Sequence, residues 1–220
     1  MRTGRGSAAE RRYAAGVDDE GWLDQVPGAM PTHRRMIEIE VFDDVERFDL
    51  IGRLSDRRPW AVAPEQVAAL HTMLLRLSVR RADLIITRAQ AQMLDYPHAE
   101  CPAIQSAFGD LVGLSVTRGF TKEVQARFGR ERGCAHLEFL ARALAPAVVQ
   151  AIPSAALRRE PPDQAGARVL QGTTWLTNTC HVWAEGGVGM AKLELGWKPG
   201  QTYPAPLLED LQAGRLTSTD

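Results

Sequence analysis

A thiol and an imidazole stand close together in the sequence at Cys134 and His136, with one residue between them. Apolar residues then recur at helical spacing and predict a helix with one apolar face: Leu137, Leu140, Ala141, Leu144, Val148 and Ile152. A cysteine at a helix N-terminus faces unpaired backbone N–H groups and the positive end of the helix dipole, which both stabilise its thiolate form. Cys134 is therefore a candidate metal ligand or nucleophile. Its ordinary interpretation is a buried cysteine that fills the core as a small apolar residue.

The remaining cysteines and histidines extend the set of candidate ligands. Cys101 precedes Pro102, and because proline favours the first turn of a helix, Cys101 is predicted at a second helix start. Cys180 is followed directly by a histidine. The predicted metal ligands are Cys101, Cys134, Cys180, His71, His136 and His181. Sulfur and imidazole ligands favour zinc, iron or an iron–sulfur cluster over magnesium or calcium, so a zinc or iron cofactor is expected.

Helical geometry and strand position leave alternatives for several of these residues. His136 lies nearly opposite Cys134 on a regular helix, so the two bind one ion only if the first turn is distorted. Otherwise His136 supports the site from outside the metal shell or is structural. His71, at the start of a predicted strand, has the alternative of a hydrogen-bonded surface histidine. Glu138 is either a general acid or base beside a metal or an acid that favours the helix dipole.

Composition bounds the class of protein and its partners. A length of 220 residues suits one domain with extensions, and a net charge of −1 gives no reason to expect nucleic acid or an anionic membrane as a partner. No apolar segment typical of a secretory signal follows the basic start, so the chain is expected to be cytoplasmic. Three cysteines, an odd number, fit a reducing compartment better than a disulfide framework. A small-molecule substrate or a partner protein is expected.

Strand-like alternation in the first half of the chain and helical spacing in the second predict an α+β fold. Apolar and polar residues alternate in four segments, which predict a four-stranded antiparallel meander: residues 37–41, 48–54, 73–79 and 84–87. A helical layer follows, with helices near 104–113, at 121–129 and from Cys134 onward. Pro146 lies inside the last helix and predicts a kink or a break near Leu144.

Composition also divides the chain into three parts. Residues 1–32 are rich in Gly, Ala and Arg without a sustained period and are predicted to form a flexible N-terminal arm. Residues 33–152 hold the strand and helix patterns and are predicted to form the core domain. Residues 153–220 start with a segment rich in Pro, Arg and Ala, and are predicted to be a linker and a C-terminal extension that folds back on the core.

Four short segments resemble the signatures of a bacterial family catalogued as a domain of unknown function. That family carries His-Asp-Met before a strand, a Pro-Tyr-x-x-Cys type segment, Gly-Cys-Thr-His-Leu and Cys-His-Ala-Trp. The corresponding segments here are His71-Thr72-Met73, Tyr96-Pro97 to Cys101, Gly133-Cys134-Ala135-His136-Leu137 and Cys180-His181-Val182-Trp183. Two positions depart from the family pattern. Thr72 replaces the usual Asp, and Asn178 lies in the segment where an acid often precedes the Cys-His pair.

The order of elements is also similar to the IscU/NifU-type iron–sulfur scaffold, which has antiparallel strands followed by two helices that each begin with a cysteine. This resemblance implies that His71 or Thr72 lies near the first ligand position, Cys101 near the second and Cys134 near the last, at one end of the sheet. It further implies that the segment with Cys180 folds back over the site as an extension of that core.

Two functions follow as hypotheses. The first is a metal-binding cytoplasmic protein of the scaffold or carrier kind, which holds zinc, iron or an iron–sulfur cluster. The second is a metalloenzyme that acts on a small catabolic substrate in a pocket lined by cysteine and histidine. The sequence has no phosphate-binding glycine loop, dinucleotide fingerprint or Ser-His-Asp signature, so it specifies no particular reaction.

Overall fold

The computed structural model describes residues 30–159, 177–198 and 205–215. The strands are β1 (Arg34–Asp43), β2 (Arg47–Arg57), β3 (Ala69–Arg80) and β4 (Ile86–Asp95). The α-helices are α1 (Phe120–Phe128), α2 (Ala135–Arg159), α3 (Val188–Glu194) and α4 (Leu208–Gln212), with 3₁₀ helices at Cys101–Leu111, Arg130–Arg132 and His181–Trp183. The predicted N-terminal arm, apart from residues 30–32, lies outside the described residues, as do residues 160–176, 199–204 and 216–220 of the predicted linker and C-terminal extension.

The four strands form one antiparallel sheet in the order β1-β2-β3-β4, which confirms the predicted meander and the α+β class. Alternation explains which face is covered, because successive side chains of a strand point to opposite faces. In β2, Phe48, Leu50 and Leu54 are at most 1% exposed, whereas Arg47 and Arg53 are exposed. The apolar face of the sheet therefore points into the core.

The fourth strand lies further along the chain than the sequence predicts. The segment 84–87 was the expected strand, but β4 spans Ile86–Asp95. Leu84 has a φ of +57°, a left-handed conformation that ends the turn after β3, and Ile85 forms only an isolated bridge to Ser115. The inward side chains of β4 include Ala89 and Ala91, which give a weak apolar signal.

α2 packs closely across the sheet. Gly52 in β2 permits this approach, because an added Cβ would lie 3.0 Å from Leu144 Cδ2 and 3.1 Å from Leu140 Cδ1. The sequence predicted a kink or a break near Leu144. α2 continues through Pro146 without a break, so the break is wrong, and the kink stays a prediction. An interior proline costs about 3 kcal/mol. Burying Leu140, Leu144 and Val148 stabilises the helix by about 1.5–3 kcal/mol per side chain, which outweighs that cost.

α2 is also long and apolar enough to cross a membrane when only length and composition are considered, because it contains an 18-residue window with a mean hydropathy of 1.4. Its buried side chains pack against the apolar face of the sheet, as those of a core helix do. Length and hydropathy therefore do not decide whether such a helix crosses a membrane or packs in a protein core.

The long 3₁₀ helix, Cys101–Leu111, begins at the predicted position and closes the core beside β4. Phe108 and Leu111 are fully buried. Gln105 fixes the helix to the strand, since its Oε1 accepts a hydrogen bond of 2.7 Å from the backbone N–H of Met93. The helix thus fixes the end of β4 that lies beside the start of β3.

Candidate metal centre

A buried aspartate occupies the inward face of the sheet near the end of β2. Asp56 is 1% exposed, and the strand register places Arg35 of β1 and His71 of β3 directly beside it. Side chains of directly paired residues lie on the same face of a sheet, so these three groups meet beneath α2. The register shifts between Asp56 and Arg57, so the regular pairing of β2 ends just after the site.

Arg35 holds Asp56 in its ionised form. Arg35 Nε donates to Asp56 Oδ1 and Arg35 Nη2 donates to Oδ2, both at 2.7 Å, in a two-pronged ion pair. His33 Nε2 lies 3.2 Å from the same Oδ1. The hydrogen bond from Arg35 lowers the pKa of Asp56 from 3.8 to about 2, although burial alone would raise it. A full negative charge is therefore present under the start of α2 at neutral pH.

Two histidines face the second oxygen of this carboxylate. His136 Nε2 lies 3.3 Å and His71 Nδ1 lies 3.4 Å from Asp56 Oδ2. The two rings stack, with centroids 3.8 Å apart and planes inclined by 27°. Burial lowers the pKa of His136, and the neighbouring His71 lowers it further. His136 is therefore neutral at neutral pH. His71 Nδ1 is buried and makes no hydrogen bond in the described part of the chain.

The start of α2 positions His136 over Asp56. The carbonyl of Cys134 accepts a 2.8 Å hydrogen bond from the Glu138 N–H, so Cys134 occupies the N-cap position and His136 lies in the first turn. The residue before Cys134 must be a glycine, because a Cβ on Gly133 would collide with the carbonyl oxygen of Phe128. Cys134 Sγ lies 3.9 Å from His136 Nδ1, which is the ring nitrogen that faces away from Asp56. The thiol thus contacts the outer side of the imidazole.

Asp56, His71 and His136, here called the Asp56 triad, form a group whose potential metal ligand atoms all lie within 4.8 Å of one another. A tetrahedral ion with bonds of about 2.0–2.1 Å separates its ligand atoms by about 3.3–3.4 Å. The two distances from the carboxylate to the imidazoles match that separation. Metal binding also needs an ionised carboxylate and a neutral imidazole, and the lowered pKa values of Asp56 and His136 provide these two forms at neutral pH.

The stacked rings require one adjustment before both histidines can bind the same ion. An ion lies close to the plane of each imidazole that coordinates it. Because the two stacked rings are nearly parallel, no point within bonding distance of both nitrogens lies in both ring planes. Rotation of one ring about its side chain would open the stack. Asp56 Oδ2 is also shared with Arg35, so an ion would use its second lone pair while the ion pair with Arg35 persists.

The other predicted ligands lie outside this group. Cys101 is half-buried at the first position of the long 3₁₀ helix, where it packs against the core. Cys180 is exposed just before the 3₁₀ helix His181–Trp183. The neighbouring Thr179 lines a cavity with residues from the middle of α2, well beyond the first turn. The structure thus brings together His71, His136 and Cys134, and the role of the remaining three as ligands stays a prediction.

Asp56 was missed from the sequence because Ser55-Asp56-Arg57 resembles a turn at the end of a strand. Asp56 in fact continues the inward positions of Leu50 and Leu54. Arg35 likewise continues the inward phase of Ile39 on β1. An acid and an arginine in phase with the apolar residues of two adjacent strands are the signal that identifies this site.

Thr72, where the resemblance implies an Asp, lies on the other face of the sheet from the triad. Thr72 is directly opposite Ser55 in the strand register, and its side chain alternates with that of His71. It is 1% exposed. The carboxylate of the site comes from β2, so the Thr at this position leaves the site's acidic group in place.

Comparison with known proteins identifies a family and no function. The sequence model of the family described as "Protein of unknown function (DUF2889)" matches residues 33–150. This segment runs from His33, which contacts Asp56, through the whole sheet and past the first turn of α2, so it contains every residue of the triad. No curated protein and no solved structure matches the chain.

Proposed function

Because the chain belongs to the DUF2889 family, whose function is unknown, we propose a function from the site itself: the protein binds a divalent transition-metal ion, zinc or ferrous iron, through the Asp56 triad. The observation that carries this proposal is the convergence of a buried, ionised carboxylate with two imidazoles, one of which has a buried ring nitrogen with no hydrogen bond to any described residue. An uncoordinated polar atom of that kind costs free energy that a bound ion would recover.

An ion held by three protein ligands keeps coordination positions open. Catalytic zinc sites and iron sites with two histidines and one carboxylate share this feature, whereas structural zinc sites are closed by four ligands. The geometry therefore favours a metalloenzyme over a structural site. An iron–sulfur scaffold of the IscU/NifU kind receives less support, because the ligand group found among the described residues contains neither Cys101 nor Cys134.

Arg35 and His33 would support the ion indirectly. Both contact Asp56 Oδ1, and Arg35 also donates to Oδ2, so they orient the carboxylate with Oδ2 facing the two imidazoles. Partners of a liganding carboxylate raise metal affinity by restricting its rotation. Cys134 contacts the outer nitrogen of His136 and would fix the orientation of that ring in the same manner.

The test is metal content and affinity in protein purified without a polyhistidine tag. We expect about one equivalent of zinc or iron, with ferrous iron loaded anaerobically, and titration calorimetry should show that Asp56→Asn, His71→Gln and His136→Gln each weaken binding by roughly 100-fold or more. His98→Gln is the matched control, because His98 is exposed and belongs to no ligand group among the residues that the structure describes. Unchanged affinity in folded triad variants would exclude this site.

A second candidate function uses the same histidine as a base. Cys134 Sγ lies 3.9 Å from His136 Nδ1, and His136 Nε2 lies 3.3 Å from Asp56 Oδ2, so the imidazole bridges a thiol and a buried carboxylate. A nucleophile, a base and an acid that orients the base occur in this order in thiol-dependent acyl transfer. Here His136 would accept the thiol proton and Cys134 would attack the acyl carbon of an ester or amide. The bond to the alcohol or amine would then break, and that leaving group would take the proton from His136.

Alkylation separates the two candidates. If Cys134 is an activated nucleophile, iodoacetamide should modify it faster than the exposed Cys180 in metal-free protein, and His136→Gln should slow that reaction several-fold. If the triad is a metal site, bound zinc should slow alkylation of Cys134 and His136→Gln should abolish this protection. Modification of Cys134 at the same slow rate with and without His136 would dismiss the thiol candidate.

A further inference from the structure

The middle of α2 borders a cavity of about 940 Å³ that lies apart from the Asp56 triad. Its walls come from α2, from the start of α1 and the loop before it, from Leu84 and from Thr179. Arg142 is the first residue of α2 to line it, and at about 1.5 Å per residue it lies roughly 9 Å beyond His136 along the helix axis. Cavities of about 300–1,000 Å³ are typical of small-molecule sites.

The side chains around this cavity have charges of one sign. Arg118, Lys122 and Arg142 line it, and its described lining contains no Asp or Glu. Arg142 pairs with Glu138 at 2.8 Å. Arg118 and Lys122 are exposed and form no ion pair with any residue that the structure describes. In a chain whose net charge is −1, this local excess of cations favours an anionic group at the cavity mouth.

The inner wall of the cavity is apolar. It is formed by side chains from both helices and the loops beside them: Leu84, Val116, Phe120, Ala145, Val149 and Ile152. Val116, Phe120 and Ala145 are buried, so they form a fixed surface continuous with the core. An apolar ligand group placed there would gain about 25 cal/mol for each Å² that it removes from water. The cavity therefore combines an apolar interior with a cationic entrance.

We propose that this cavity binds a small monocarboxylic acid. Its apolar chain or ring packs between α1 and α2, and its carboxylate pairs with Arg118 and Lys122 at the entrance. Hydrogen bonds between a carboxylate and a guanidinium or ammonium group are about twice as strong as neutral ones, which sets the orientation of the ligand. The binding site shares no residue with the Asp56 triad, so it does not depend on the proposed metal function.

Three probes test the two halves of this site in the full-length protein. Octanoate carries both an apolar chain and a carboxylate, octan-1-ol carries the chain alone, and acetate carries the carboxylate alone. Calorimetry or ligand-observed NMR should give saturable binding of octanoate that is about tenfold tighter than that of octan-1-ol, which corresponds to the pairing of one charge. Acetate should not bind at the same concentrations.

Two variants assign the contacts. The double variant Arg118→Gln/Lys122→Gln should weaken octanoate binding about tenfold and leave octan-1-ol binding unchanged. Val149→Trp should block both, because Val149 lines the apolar wall. The charge-matched control is Arg76→Gln/Arg88→Gln, which removes two arginines from the opposite face of the sheet and should bind octanoate like the wild type. Asp56→Asn should also bind octanoate normally, which separates this site from the triad.

Either of two results would overturn the proposal. Equal affinity for octanoate and octan-1-ol, unchanged in the double variant, would show that the entrance cations do not recognise a carboxylate. A lack of saturable binding by octanoate to folded wild-type protein would show that the cavity is not a site for this class of ligand.

Discussion

Asp56 shows how one residue decides the chemistry of a whole region. A carboxylate that is 1% exposed needs a partner to remain charged, and Arg35 supplies it through two hydrogen bonds of 2.7 Å. The charge then creates the environment in which His71 and His136 meet. The triad therefore depends on the ion pair between Asp56 and Arg35, and removing this pair should lower both the stability of the fold and its affinity for metal.

Asp56→Asn should lower the free energy of unfolding at pH 7 by about 2 kcal/mol, because the folded pKa of Asp56, about 2, lies below the ordinary value of 3.8. A lowered pKa stabilises the fold above pH 3.8, and this stabilisation disappears as the pH falls towards 2. Urea unfolding from pH 7 to pH 3 measures the difference. The difference in unfolding free energy between wild type and Asp56→Asn should be constant down to about pH 5 and shrink below pH 4. The exposed control Glu46→Gln should have nearly the unfolding free energy of the wild type throughout.

His136 should make the metal-free protein less stable in mild acid. Its pKa lies below the ordinary 6.5, so the unfolded chain takes up a proton before the folded chain does. Stability contributed by neutral His136 is complete above pH 6.5 and is lost as the pH falls below it. We expect His136→Gln to reduce the loss of unfolding free energy between pH 7 and pH 5. An identical pH dependence in wild type, His136→Gln and the exposed control His98→Gln would contradict this assignment.

At the scale of single residues, the sequence predicted two of the three triad members. His71 and His136 were identified because imidazole is a versatile ligand and both lie at the starts of predicted elements. Asp56 required knowledge of strand register, since its role depends on being level with Arg35 and His71 across three strands. Register is a property of the folded sheet, so a local pattern cannot give it.

At the scale of elements, the contact between α2 and β2 sets the distance from His136 to Asp56. Gly52 lies beneath Leu140 and Leu144 at the point of closest approach. His136 lies about one helical turn before Leu140, and Asp56 lies two inward positions after Gly52 in β2. A change in the packing at Gly52 should therefore change the geometry of the triad.

Gly52→Ala should destabilise the fold and Gly52→Val should do so more strongly, by about 1–3 kcal/mol, because the added atoms displace α2 from the sheet. The same displacement should weaken metal binding, since His136 moves with the helix. Thermal unfolding and metal titration measure both effects. Gly109→Ala is the control, because nothing lies within 4 Å of a Cβ at that position. Equal stability of the Gly52 and Gly109 variants would show that this contact does not limit packing.

Elements with a strong apolar period were predicted well and the others were not. The first three strands alternate large apolar residues with polar ones, and α1 and α2 repeat them at helical spacing. β4 presents small alanines inward, so its period is faint. Pro146 predicted a kink or a break in α2, but the helix is not broken there, because long-range burial against the sheet stabilises it by more than one interior proline costs.

At the scale of the whole molecule, α2 is attached near both of its ends. His136 contacts Asp56 near the start, and at the other end Arg159 Nη2 pairs with Asp43 Oδ2 of β1 at 2.6 Å. Arg158 Nη1 lies 3.4 Å from the other oxygen of the same carboxylate. α2 thus runs on to Arg159, and its buried side chains reach Ala155, while the domain boundary at Ile152 stays a prediction.

Truncation after Ala165 tests whether the C-terminal part of the chain contributes to the metal site. The shortened protein retains both attachments of α2, so we expect it to fold cooperatively and to bind metal with the affinity of the full-length chain. If Cys180 or His181 ligates the ion, truncation should instead lower the affinity by orders of magnitude, because a ligand is lost.

Exchange of the metal with a chelator, measured for the full chain, the truncated chain and full-length Cys180→Ser, distinguishes the cases. Slow exchange in the full chain combined with rapid exchange in both altered proteins would assign Cys180 to the metal shell. Equal rates in all three would confine the site to residues that the sheet and the first turn of α2 hold together.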